Sequence, residues 1–279
     1  MYLDIGHLLV QTGGHMDLEL SGKVALISGG SKGIGKAVAW EFAREGMDVV
    51  ICSRSQEPLE AAAHEIALDT GQRIIPITAD TTDQNSVAQL VASTLEALGR
   101  IDVLVNNAAT PGGLVRGTLS DAVEEDLLDD INTKVVGYFR CAKAVAPHMQ
   151  KQKWGRIINI GGLSGRRSGV ISGLRNAAVV HLTKTLADQL GQDGITVNLV
   201  HPGTTRTERS GPMYADRAQR EGVTVEDVEQ RVSQNNAIRR IVDAQEIGHV
   251  VAFLSSPKAG AITGIAIDAS GGSIPVVFP

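Results

Sequence analysis

Aromatic residues and cysteines are both scarce in this sequence, and each shortage excludes a class of protein. Among 279 residues there are four Phe, two Trp and three Tyr, and the tyrosines are Tyr2, Tyr138 and Tyr214. The two cysteines, Cys52 and Cys141, lie far apart and form no C-x-x-C pair, so the sequence predicts neither a disulfide framework nor a metal site. A reducing cytoplasm is the compartment that we expect for such a protein.

Long apolar runs and an excess of positive charge are also missing. No apolar segment approaches the roughly 18 residues that a membrane-spanning helix needs, which argues against a membrane protein. The 26 basic and 31 acidic residues give a formal net charge of −5, and a chain without a basic cluster lacks the usual footprint of a nucleic-acid binder. Residues 1–15 contain Asp4 but no Lys or Arg, unlike a signal peptide. We expect residues 1–18 to be an N-terminal extension, with Met16 as a candidate start.

Apolar runs typical of strands alternate with stretches of helical periodicity along most of the chain. Strands are predicted at 23–28, 48–53, 73–78, 102–106, 156–160, 195–200 and 261–268. Helices are predicted at 35–46, 57–69, 84–98, 121–150, 172–191 and 244–255. This alternation predicts an α/β fold, in which residues 19–279 form a single doubly wound Rossmann-type domain with a seven-stranded parallel sheet flanked by helices. The polar segment 203–237 breaks the pattern, and we expect it to form a lid or insertion over the site.

A glycine-rich turn follows the first predicted strand and precedes the first predicted helix. Gly29, Gly33 and Gly35 have the spacing G-x-x-x-G-x-G. This spacing lets the backbone approach a ligand closely and presents the free N–H groups of the next helix to a pyrophosphate. The turn therefore predicts a dinucleotide-binding site. Its expected cofactor-binding residues are Gly29, Ser31, Lys32, Gly33, Ile34 and Gly35.

The end of the second predicted strand indicates which dinucleotide binds. An acidic residue there would bind the ribose 2′-hydroxyl group of NAD(H), but this chain has Cys52, Ser53 and Arg54. Two cations, Lys32 and Arg54, together with the Ser53 hydroxyl group suit a 2′-phosphate, so NADP(H) is favoured over NAD(H). The alternative is that both cations are ordinary solvated surface charges.

Further motifs occur in a fixed order along the chain. They are Asn106-Asn107-Ala108-Ala109, Gly155-Arg156-Ile157-Ile158-Asn159-Ile160, Leu182-Thr183-Lys184-Thr185-Leu186-Ala187, Ile195-Thr196-Val197-Asn198, His201-Pro202-Gly203 and Asp268-Ala269-Ser270-Gly271-Gly272. Together with the glycine turn, these motifs make residues 19–272 resemble the classical short-chain dehydrogenase/reductase family. The resemblance implies a nicotinamide cofactor, a small-molecule carbonyl or alcohol substrate, and a homodimer or homotetramer formed through the helices at 121–150 and 172–191.

The resemblance also implies roles for individual residues. Asp80 and Thr81 would contact the adenine edge, while Asn107 and Ala108 would support the cofactor. Asn132 would hold a water molecule in the proton relay of the family. The loop after the sixth strand would contact the nicotinamide side through Pro202, Gly203, Thr205 and Thr207.

The catalytic positions depart from the family pattern. The family uses a serine to polarise the carbonyl group, a tyrosine to pass a proton, and a lysine that lowers the pKa of the tyrosine, since a phenol with a pKa of about 10 is poorly matched to neutral pH. An alignment without gaps in the helix places Ser172 and Asn176 at the tyrosine and lysine positions, and an alignment anchored on strand 156–160 places Gly162 at the serine position. The loop between them is about three residues shorter than in the family, and no shift of register restores the tyrosine–lysine pair. Tyr138 is expected to be a packing or interface residue, and only Tyr214, in the predicted lid, could approach a substrate.

Other side chains could take over part of the chemistry. Ser172, Arg175 and Asn176 are spaced at i, i+3 and i+4, so they share one face of a helix, and Ser164 could supply the carbonyl contact. With Asn132, these four are the candidate catalytic residues. Less favoured alternatives are Ser168 at the carbonyl group, Arg166 and Arg167 for an anionic substrate, and His181 or His201 as titratable groups.

Two functions fit these observations. The first is an NADP(H)-dependent oxidoreductase that acts on a carbonyl or alcohol with an atypical proton-transfer group, as the complete set of cofactor motifs suggests. The second is an NADP(H)-binding protein, a sensor or assembly partner, that has lost the chemistry, as Gly162, Ser172 and Asn176 suggest. A lyase is disfavoured, because relatives of that type tend to lose the glycine turn that this chain keeps.

Overall fold

The computed structural model describes residues 16–115 and 117–274, and its central element is a sheet of seven parallel strands. The strands are β1 (Val24–Ser28), β2 (Asp48–Ser53), β3 (Ile74–Thr78), β4 (Val103–Asn106), β5 (Gly155–Ile160), β6 (Ile195–Pro202) and β9 (Ala266–Ala269). They lie in the order β3-β2-β1-β4-β5-β6-β9. Two short strands, β7 (Thr205–Arg206) and β8 (Val242–Asp243), pair with each other beside the sheet. The predicted Rossmann-type α/β domain is confirmed, whereas residues 1–15 of the expected extension 1–18, including Tyr2, lie outside the described residues.

Helices cover both faces of the sheet, because successive strand residues point to opposite sides. The helices are α1 (Gly33–Arg44), α2 (Gln56–Thr70), α3 (Gln84–Leu98), α4 (Glu124–Ile131), α5 (Gly137–Gln152), α6 (Gly173–Leu190), α7 (Ser210–Glu221), α8 (Val225–Gln234) and α9 (Ala244–Ser255). On β1, Ile27 packs with α1, α2 and α9, whereas Leu26 packs with α3, α5 and α6. This two-sided burial explains why the strands read as continuous apolar runs. In the described part of the chain, no helix has the length and apolarity that crossing a membrane requires.

The order of the strands creates a crevice beside β1. From β1 the chain builds outward to β2 and β3 on one side, and it then returns to place β4 on the other side of β1. The loops that leave β1 and β4 therefore diverge at the carboxyl ends of the strands. In open α/β sheets, ligands bind at this reversal of strand order.

The long helix predicted at 121–150 is interrupted in the structure. Helix α4 ends at Ile131, a π turn follows at Asn132–Val136, and α5 begins at Gly137. The Gly137 amide group donates a hydrogen bond to the Asn132 carbonyl group, five residues earlier. A π turn is an uncommon local widening that is frequently found at functional sites, and here it lies next to the end of β5.

Segment 203–237 contains two helices that pack on each other over a small core of their own. Tyr214 and Ala218 of α7 contact Val228 of α8, and Ile241 completes the cluster. Because these residues are spaced three or four apart, each helix buries one apolar stripe. Tyr214 is 2% exposed and its hydroxyl group has no partner, so its ring packs inside the segment instead of facing solvent.

A buried carboxylate fastens the amino-terminal edge of the sheet, and its removal is expected to destabilise the fold. Asp102 is fully buried, accepts a hydrogen bond from the Val24 amide group at 2.9 Å and binds the Arg100 guanidinium group at 2.6 and 2.7 Å. We expect Asp102→Ala to lower the free energy of unfolding by about 3 kcal/mol, because it leaves both donors without their acceptor. The measurement is a urea unfolding curve.

The matched control for this substitution is Asp48→Ala. Asp48 pairs with Arg73, but both side chains are partly exposed, at 27% and 57%. An exposed pair contributes at most about 1 kcal/mol, so the control variant should unfold close to the wild type. Equal losses in the two variants would contradict the role assigned to Asp102.

Candidate active site

The turn between β1 and α1 needs glycine at each of its three motif positions, for different physical reasons. Gly33 adopts the left-handed backbone conformation, with φ +60°, which favours glycine. A Cβ atom on Gly35 would collide with the Gly29 carbonyl oxygen, and one on Gly29 would lie 2.9 Å from the Asn107 side chain. The turn is therefore tight, and it leaves the first amide groups of α1 facing outward. Ser31 and Ile34 complete it, and Ile34 packs partly against the core.

Asn107, in the loop after β4, holds this turn in place. Its side-chain amide group donates to the carbonyl oxygens of Ser28 and Gly29, at 3.1 and 2.9 Å. In return, the Ser28 hydroxyl oxygen accepts from the backbone amides of Asn107 and Ala108, at 3.0 and 3.1 Å. The two loops that border the crevice are thus joined by four hydrogen bonds.

Two cations lie at the carboxyl ends of β1 and β2. The strands are adjacent, with Ser28 opposite Cys52, and Lys32 and Arg54 follow them on exposed positions. Within the described residues, neither forms a salt bridge, although the charge of Arg54 acts on the carboxylate of Asp80. The Ser53 hydroxyl group donates to the Ser55 carbonyl oxygen at 3.1 Å. Unpaired cations beside a glycine turn fit the phosphate groups of a dinucleotide.

Asp80 and Thr81 follow β3 on the same edge of the sheet. The Asp80 carboxylate accepts from the amide and hydroxyl groups of Thr82, at 2.9 and 2.8 Å. Partial burial raises the pKa of Asp80, but these hydrogen bonds and the charges of Arg54 and Arg140 outweigh burial, so its pKa lies below the ordinary value. Thr81 is buried. The carboxylate is therefore held as a fixed negative charge at the end of β3.

The loop after β6 faces the glycine turn. Pro202 is the last residue of β6 and pairs with Ala269, and the Thr205 hydroxyl group donates to the Gly203 carbonyl oxygen at 3.1 Å. The Thr207 methyl group would lie 3.7 Å from a Cβ atom on Gly33. The structure thus brings the predicted cofactor residues of both loops together across the crevice.

Glu208, which the sequence did not single out, connects these two loops. Its carboxylate accepts from the Gly33 amide group, with both oxygens at 2.9 and 3.1 Å. No side chain at the N-cap position of α1 provides this contact, since Lys32 makes no capping hydrogen bond. A negative charge at a helix N-terminus is favourable, so Glu208 fastens segment 203–237 to the glycine turn.

A buried ion pair lies on the other side of the crevice. Arg175, in the first turns of α6, binds Asp130 of α4 at 2.6 Å and donates to the Thr110 carbonyl oxygen at 2.8 Å. Both side chains are nearly inaccessible, at 5% and 1% exposure. The Ser172 hydroxyl oxygen accepts from the Val115 amide group at 3.2 Å. A Cβ atom on Gly113, whose φ is +89°, would collide with the Ser172 hydroxyl group and lie 2.9 Å from Asp130 Oδ2.

Asn176 and Ser164 form a second pair one turn further along α6. The Asn176 side-chain amide donates to the Ser164 hydroxyl oxygen at 2.8 Å, while Asn176 Oδ1 is buried without a partner. A Cβ atom on Gly162 would approach Asn176 Nδ2 to 2.9 Å. The missing side chain at Gly162 therefore provides the space that Asn176 occupies. The predicted group of Ser164, Ser172, Arg175 and Asn176 does converge on one end of α6.

His201 lies under this group and is neutral. Its Nδ1 accepts from the Gly162 amide group at 2.9 Å, so the ring proton is on Nε2, which is buried without a partner. The pKa of His201 is lowered to about 4, mainly by burial and also by the charges of Arg166 and Lys134, while Asp268 and the Gly162 hydrogen bond oppose the shift. At neutral pH this imidazole is not a cationic acid.

Lys134 is a member of the cluster that sequence reasoning missed. It lies in the π turn, is 4% exposed, and its Nζ donates to the Gly161 carbonyl oxygen at 2.8 Å. The pKa of Lys134 is lowered to about 7, mainly by burial and also by the charge of Arg175, while the charge of Asp130 opposes the shift. Its spacing from Ile131 and Tyr138 places it on the apolar stripe of the helix, and a charged residue on such a stripe was a signal in the sequence.

The remaining candidates are less closely connected. The Asn132 side chain is half-buried and makes no hydrogen bond to the described residues, so the structure does not join it to the cluster. Arg166 donates to the Ala266 carbonyl oxygen at 2.9 Å, whereas Arg167, Ser168 and His181 are exposed. Tyr138 is buried, and its hydroxyl group donates to the Ile160 carbonyl oxygen at 3.1 Å, which fits the expected packing role.

An open, largely apolar pocket of about 530 Å³ adjoins the cluster. Its lining includes Leu127, Ser164, Arg167, Ile171, Leu174 and Ala177. Ser164 is thus shared between the pocket and the hydrogen bond to Asn176. A small organic molecule in this pocket would reach the polar cluster at its inner end.

Comparison with known proteins places these features in a family. A family model described as enoyl-(acyl carrier protein) reductase matches residues 29–273. Oxidoreductase UcpA of Salmonella typhimurium is 37% identical over 261 residues, which are 91% of this chain and 95% of UcpA. The NADPH-dependent reductase BacG of Bacillus subtilis is 31% identical over 259 residues, which are 91% of this chain and 99% of BacG.

Solved structures agree with the sequence matches. L-Sorbose reductase from Gluconobacter frateurii, in its complex with NADPH and L-sorbose, is 29% identical and superposes with a TM-score of 0.89 over 94% of this chain and 100% of that protein. The family model extends from the glycine turn to the loop after β9, so it includes the loops after β1, β4 and β6. The chain belongs to the short-chain dehydrogenase/reductase family of oxidoreductases.

Proposed function

We propose that the protein is an NADP(H)-dependent oxidoreductase that interconverts a small-molecule carbonyl compound and its alcohol at an atypical active site. One observation carries the proposal. The crevice has unpaired cations beside the glycine turn on one side and a buried polar cluster, open to an organic-sized pocket, on the other. The similarity to BacG, named as an NADPH-dependent reductase, and to an NADPH-bound reductase supports the same cofactor.

The proposed dinucleotide site uses both loops of the crevice. The α1 N-terminus and Lys32 would bind the pyrophosphate, and Arg54 with Ser53 would bind the 2′-phosphate. Asp80 and Thr81 would border the adenine, and Asn107 and Ala108 would support the turn. Pro202, Gly203, Thr205 and Thr207 would flank the nicotinamide. The bound nicotinamide would supply or accept a hydride, and the protein must then move the matching proton.

The candidate catalytic side chains have different capacities for that task. Ser164 accepts a hydrogen bond from Asn176, so its own proton is free to hydrogen-bond a carbonyl oxygen in the pocket. Asn176 Oδ1 can accept from a ribose hydroxyl group but carries no charge. Arg175 does not release its proton, and its pairing with Asp130 gives it a positioning role that orients Ser172. Asn132 keeps its proposed role as the holder of a water molecule.

A second candidate function rests on the same positions. Gly162, Ser172 and Asn176 stand where the family has its serine, tyrosine and lysine, which favours an NADP(H)-binding sensor or assembly partner without turnover. Losing a positioned acid lowers a rate by about 10²–10⁴, but orientation of the reactants contributes separately. We therefore rank the oxidoreductase first.

The proposal also includes the compartment, the oligomeric state and the partners of the protein. We propose a cytoplasmic homodimer or homotetramer that assembles through α4, α5 and α6, without nucleic acid or membrane partners. Phe139 on α5 and Leu174 on α6 support this interface, because each is a large apolar side chain that is about half exposed, at 44% and 56%. Segment 203–237 is proposed as the lid over the pocket, and its contact with Gly33 through Glu208 supports that role.

The cofactor preference is tested by removing one cation. We expect Arg54→Ala to raise the Kd for NADPH about tenfold, because a charge-assisted hydrogen bond to the 2′-phosphate is lost, while the Kd for NADH changes less than twofold. Nicotinamide fluorescence titration measures both. Arg73→Ala is the control, since Arg73 precedes β3 at the opposite edge of the sheet. A parallel loss of NADPH and NADH affinity would contradict the assignment.

A turnover assay distinguishes the oxidoreductase from the sensor or assembly partner. The assay follows NADPH oxidation with 2,3-butanedione, cyclohexanone, benzaldehyde and 9,10-phenanthrenequinone. We expect turnover with at least one of them, and we expect Ser164→Ala to lower kcat about 10²-fold, as for the loss of one donor to a developing oxyanion. Ser168→Ala, an exposed serine of the same loop, should leave kcat unchanged. NADPH binding without turnover on any probe would favour the sensor or assembly partner.

Glu208 is expected to compete with the cofactor for the amide groups of α1. Its carboxylate binds the Gly33 amide group, which the pyrophosphate would need. Replacing Glu208 with Gln should therefore lower the Kd for NADPH about threefold or more, since the competing charge is worth up to about 1 kcal/mol. Glu226→Gln, an exposed change in the same segment, is the control. A weaker NADPH complex in the Glu208 variant would show that the contact aids binding.

A further inference from the structure

Lys134 is a buried lysine whose one hydrogen bond within the described residues does not explain why a charged side chain lies there. The side chain leaves the π turn and reaches the carboxyl end of β5, where Nζ donates to the Gly161 carbonyl oxygen at 2.8 Å. A lysine ammonium group has three N–H donors, and within the described residues this is the one hydrogen bond that it makes. Two donors remain, although the side chain is only 4% exposed.

Unpartnered polar atoms concentrate around this lysine. Of the eight buried side-chain nitrogen and oxygen atoms without a hydrogen-bond partner among the described residues, four belong to Asp130, Arg175, Asn176 and His201. They come from α4, α6 and β6. Asn176 and His201 lie beside the residues that follow β5, and the charges of Asp130 and Arg175 act on Lys134. Buried polar groups are nearly always paired in proteins. Such a concentration, at the strand ends where α/β sheets bind ligands, indicates hydrogen bonds that are completed by a bound molecule.

The charged groups around Lys134, together with its burial, give it a pKa that favours it as the proton donor of the cluster. Asp130 is on α4, Arg175 on α6, His201 on β6, and the Tyr138 ring of α5 lies 5.9 Å from Nζ. Asp130 is already bound by Arg175, so it compensates the lysine charge only in part. Burial and Arg175 lower the pKa of Lys134 to about 7, which suits proton transfer at neutral pH.

The neighbouring groups cannot take this role. Arg175 does not release a proton, and a serine hydroxyl group such as Ser172 does not ionise near neutral pH. His201 is neutral, because burial lowers its pKa to about 4. Tyr138 donates to the Ile160 carbonyl oxygen, and burial raises its pKa far above 10.

We propose that Lys134 is the proton donor of the reaction, in place of the tyrosine that the family uses. The inference rests on the proposed carbonyl reduction. As hydride passes from the reduced nicotinamide to the carbonyl carbon, an N–H bond of the Lys134 ammonium group breaks and the O–H bond of the alcohol forms. The products are the alcohol, the oxidised nicotinamide and a neutral Lys134 amine, which takes a proton from solvent. In alcohol oxidation the neutral amine accepts the alcohol proton.

The test replaces Lys134 in the full-length protein and follows kcat against pH with the best of the four carbonyl probes. The ammonium form is the active one in reduction, so wild-type kcat should fall as pH rises through about 7. Lys134→Gln and Lys134→Arg should lower kcat at pH 6 by about 10²–10⁴ and lose this dependence. Lys143→Gln, an exposed lysine on α5, should behave as the wild type.

Two further readouts distinguish a proton donor from a structural residue. The Kd of each variant for NADPH, measured by fluorescence, should stay within about threefold of the wild-type value, which shows that the cofactor site is intact. NMR of protein labelled with ¹³Cε-lysine should give a titration midpoint near 7 for the signal that Lys134→Arg removes. The arginine variant keeps the positive charge and the hydrogen-bond donor, so a merely structural role would leave its kcat high.

The outcomes separate this inference from the function on which it rests. Wild-type protein that binds NADPH but reduces none of the probes overturns the proposed function, and the role of Lys134 with it. Wild-type turnover that survives in Lys134→Gln or Lys134→Arg, with the same pH profile, overturns the role of Lys134 alone. An NMR midpoint above about 9, close to an ordinary lysine, does so as well.

Discussion

The buried ion pair between Arg175 and Asp130 is the interaction on which the rest of the site depends. It joins α6 to α4 across the crevice at 2.6 Å, and the second Arg175 hydrogen bond, to the Thr110 carbonyl oxygen, fixes the loop after β4 as well. A buried pair is costly to assemble and must be held by good geometry, yet Arg175 Nε and Asp130 Oδ2 remain without hydrogen-bond partners among the described residues. By engaging Asp130, Arg175 also leaves Lys134 with a carbonyl group as its nearest partner. The pair thus fixes the shape of the cluster, while burial is the main cause of the lowered pKa of Lys134, with Arg175 lowering it and Asp130 raising it.

Three glycines leave room for the polar side chains of the cluster around Arg175 and Lys134. Gly113 passes beside Ser172 and Asp130, Gly161 passes beside His201, and Gly162 passes beside Asn176. At each place a Cβ atom would approach a polar side chain more closely than atoms pack in proteins. The position of Asn176 therefore depends on the lack of a side chain at Gly162, since the amide group fills the volume that a side chain would need. The three glycines and the polar side chains beside them form one packed arrangement.

The sheet and the dinucleotide crevice could be predicted from the sequence, because both depend on patterns within short stretches of the chain. Buried parallel strands read as apolar runs, and the glycine turn falls between a strand and a helix. The break at Asn132–Val136 could not, since the segment keeps its helical pattern and contains neither proline nor glycine. The last strand begins at Ala266, later than predicted, because Asn198 binds the Ile262 carbonyl group and holds that stretch outside the sheet. Glu208 was missed because it acts through a contact with Gly33, which is distant in sequence. Lys134 had a local signal, a charge on the apolar stripe of its helix, but the sequence does not show its contact with Gly161.

The sequence has few tyrosines, and the π turn places a different proton-bearing side chain, Lys134, at the end of β5. Both tyrosines in the described residues, Tyr138 and Tyr214, are buried in packing roles, and the proton donor that we propose, Lys134, is a side chain of another type. One extra residue in a helical turn rotates the following residues by about 100° relative to the preceding ones. Here Tyr138, Cys141 and Val145 of α5 keep their core contacts. The π turn gives the residues before them a different orientation around the helix axis. The widened turn lets Lys134 reach the end of β5 without disturbing the packing of α5. In our proposal, the proton donor thus lies in the π turn beside α6, and its position requires no change in the sheet, the crevice or the cofactor loops.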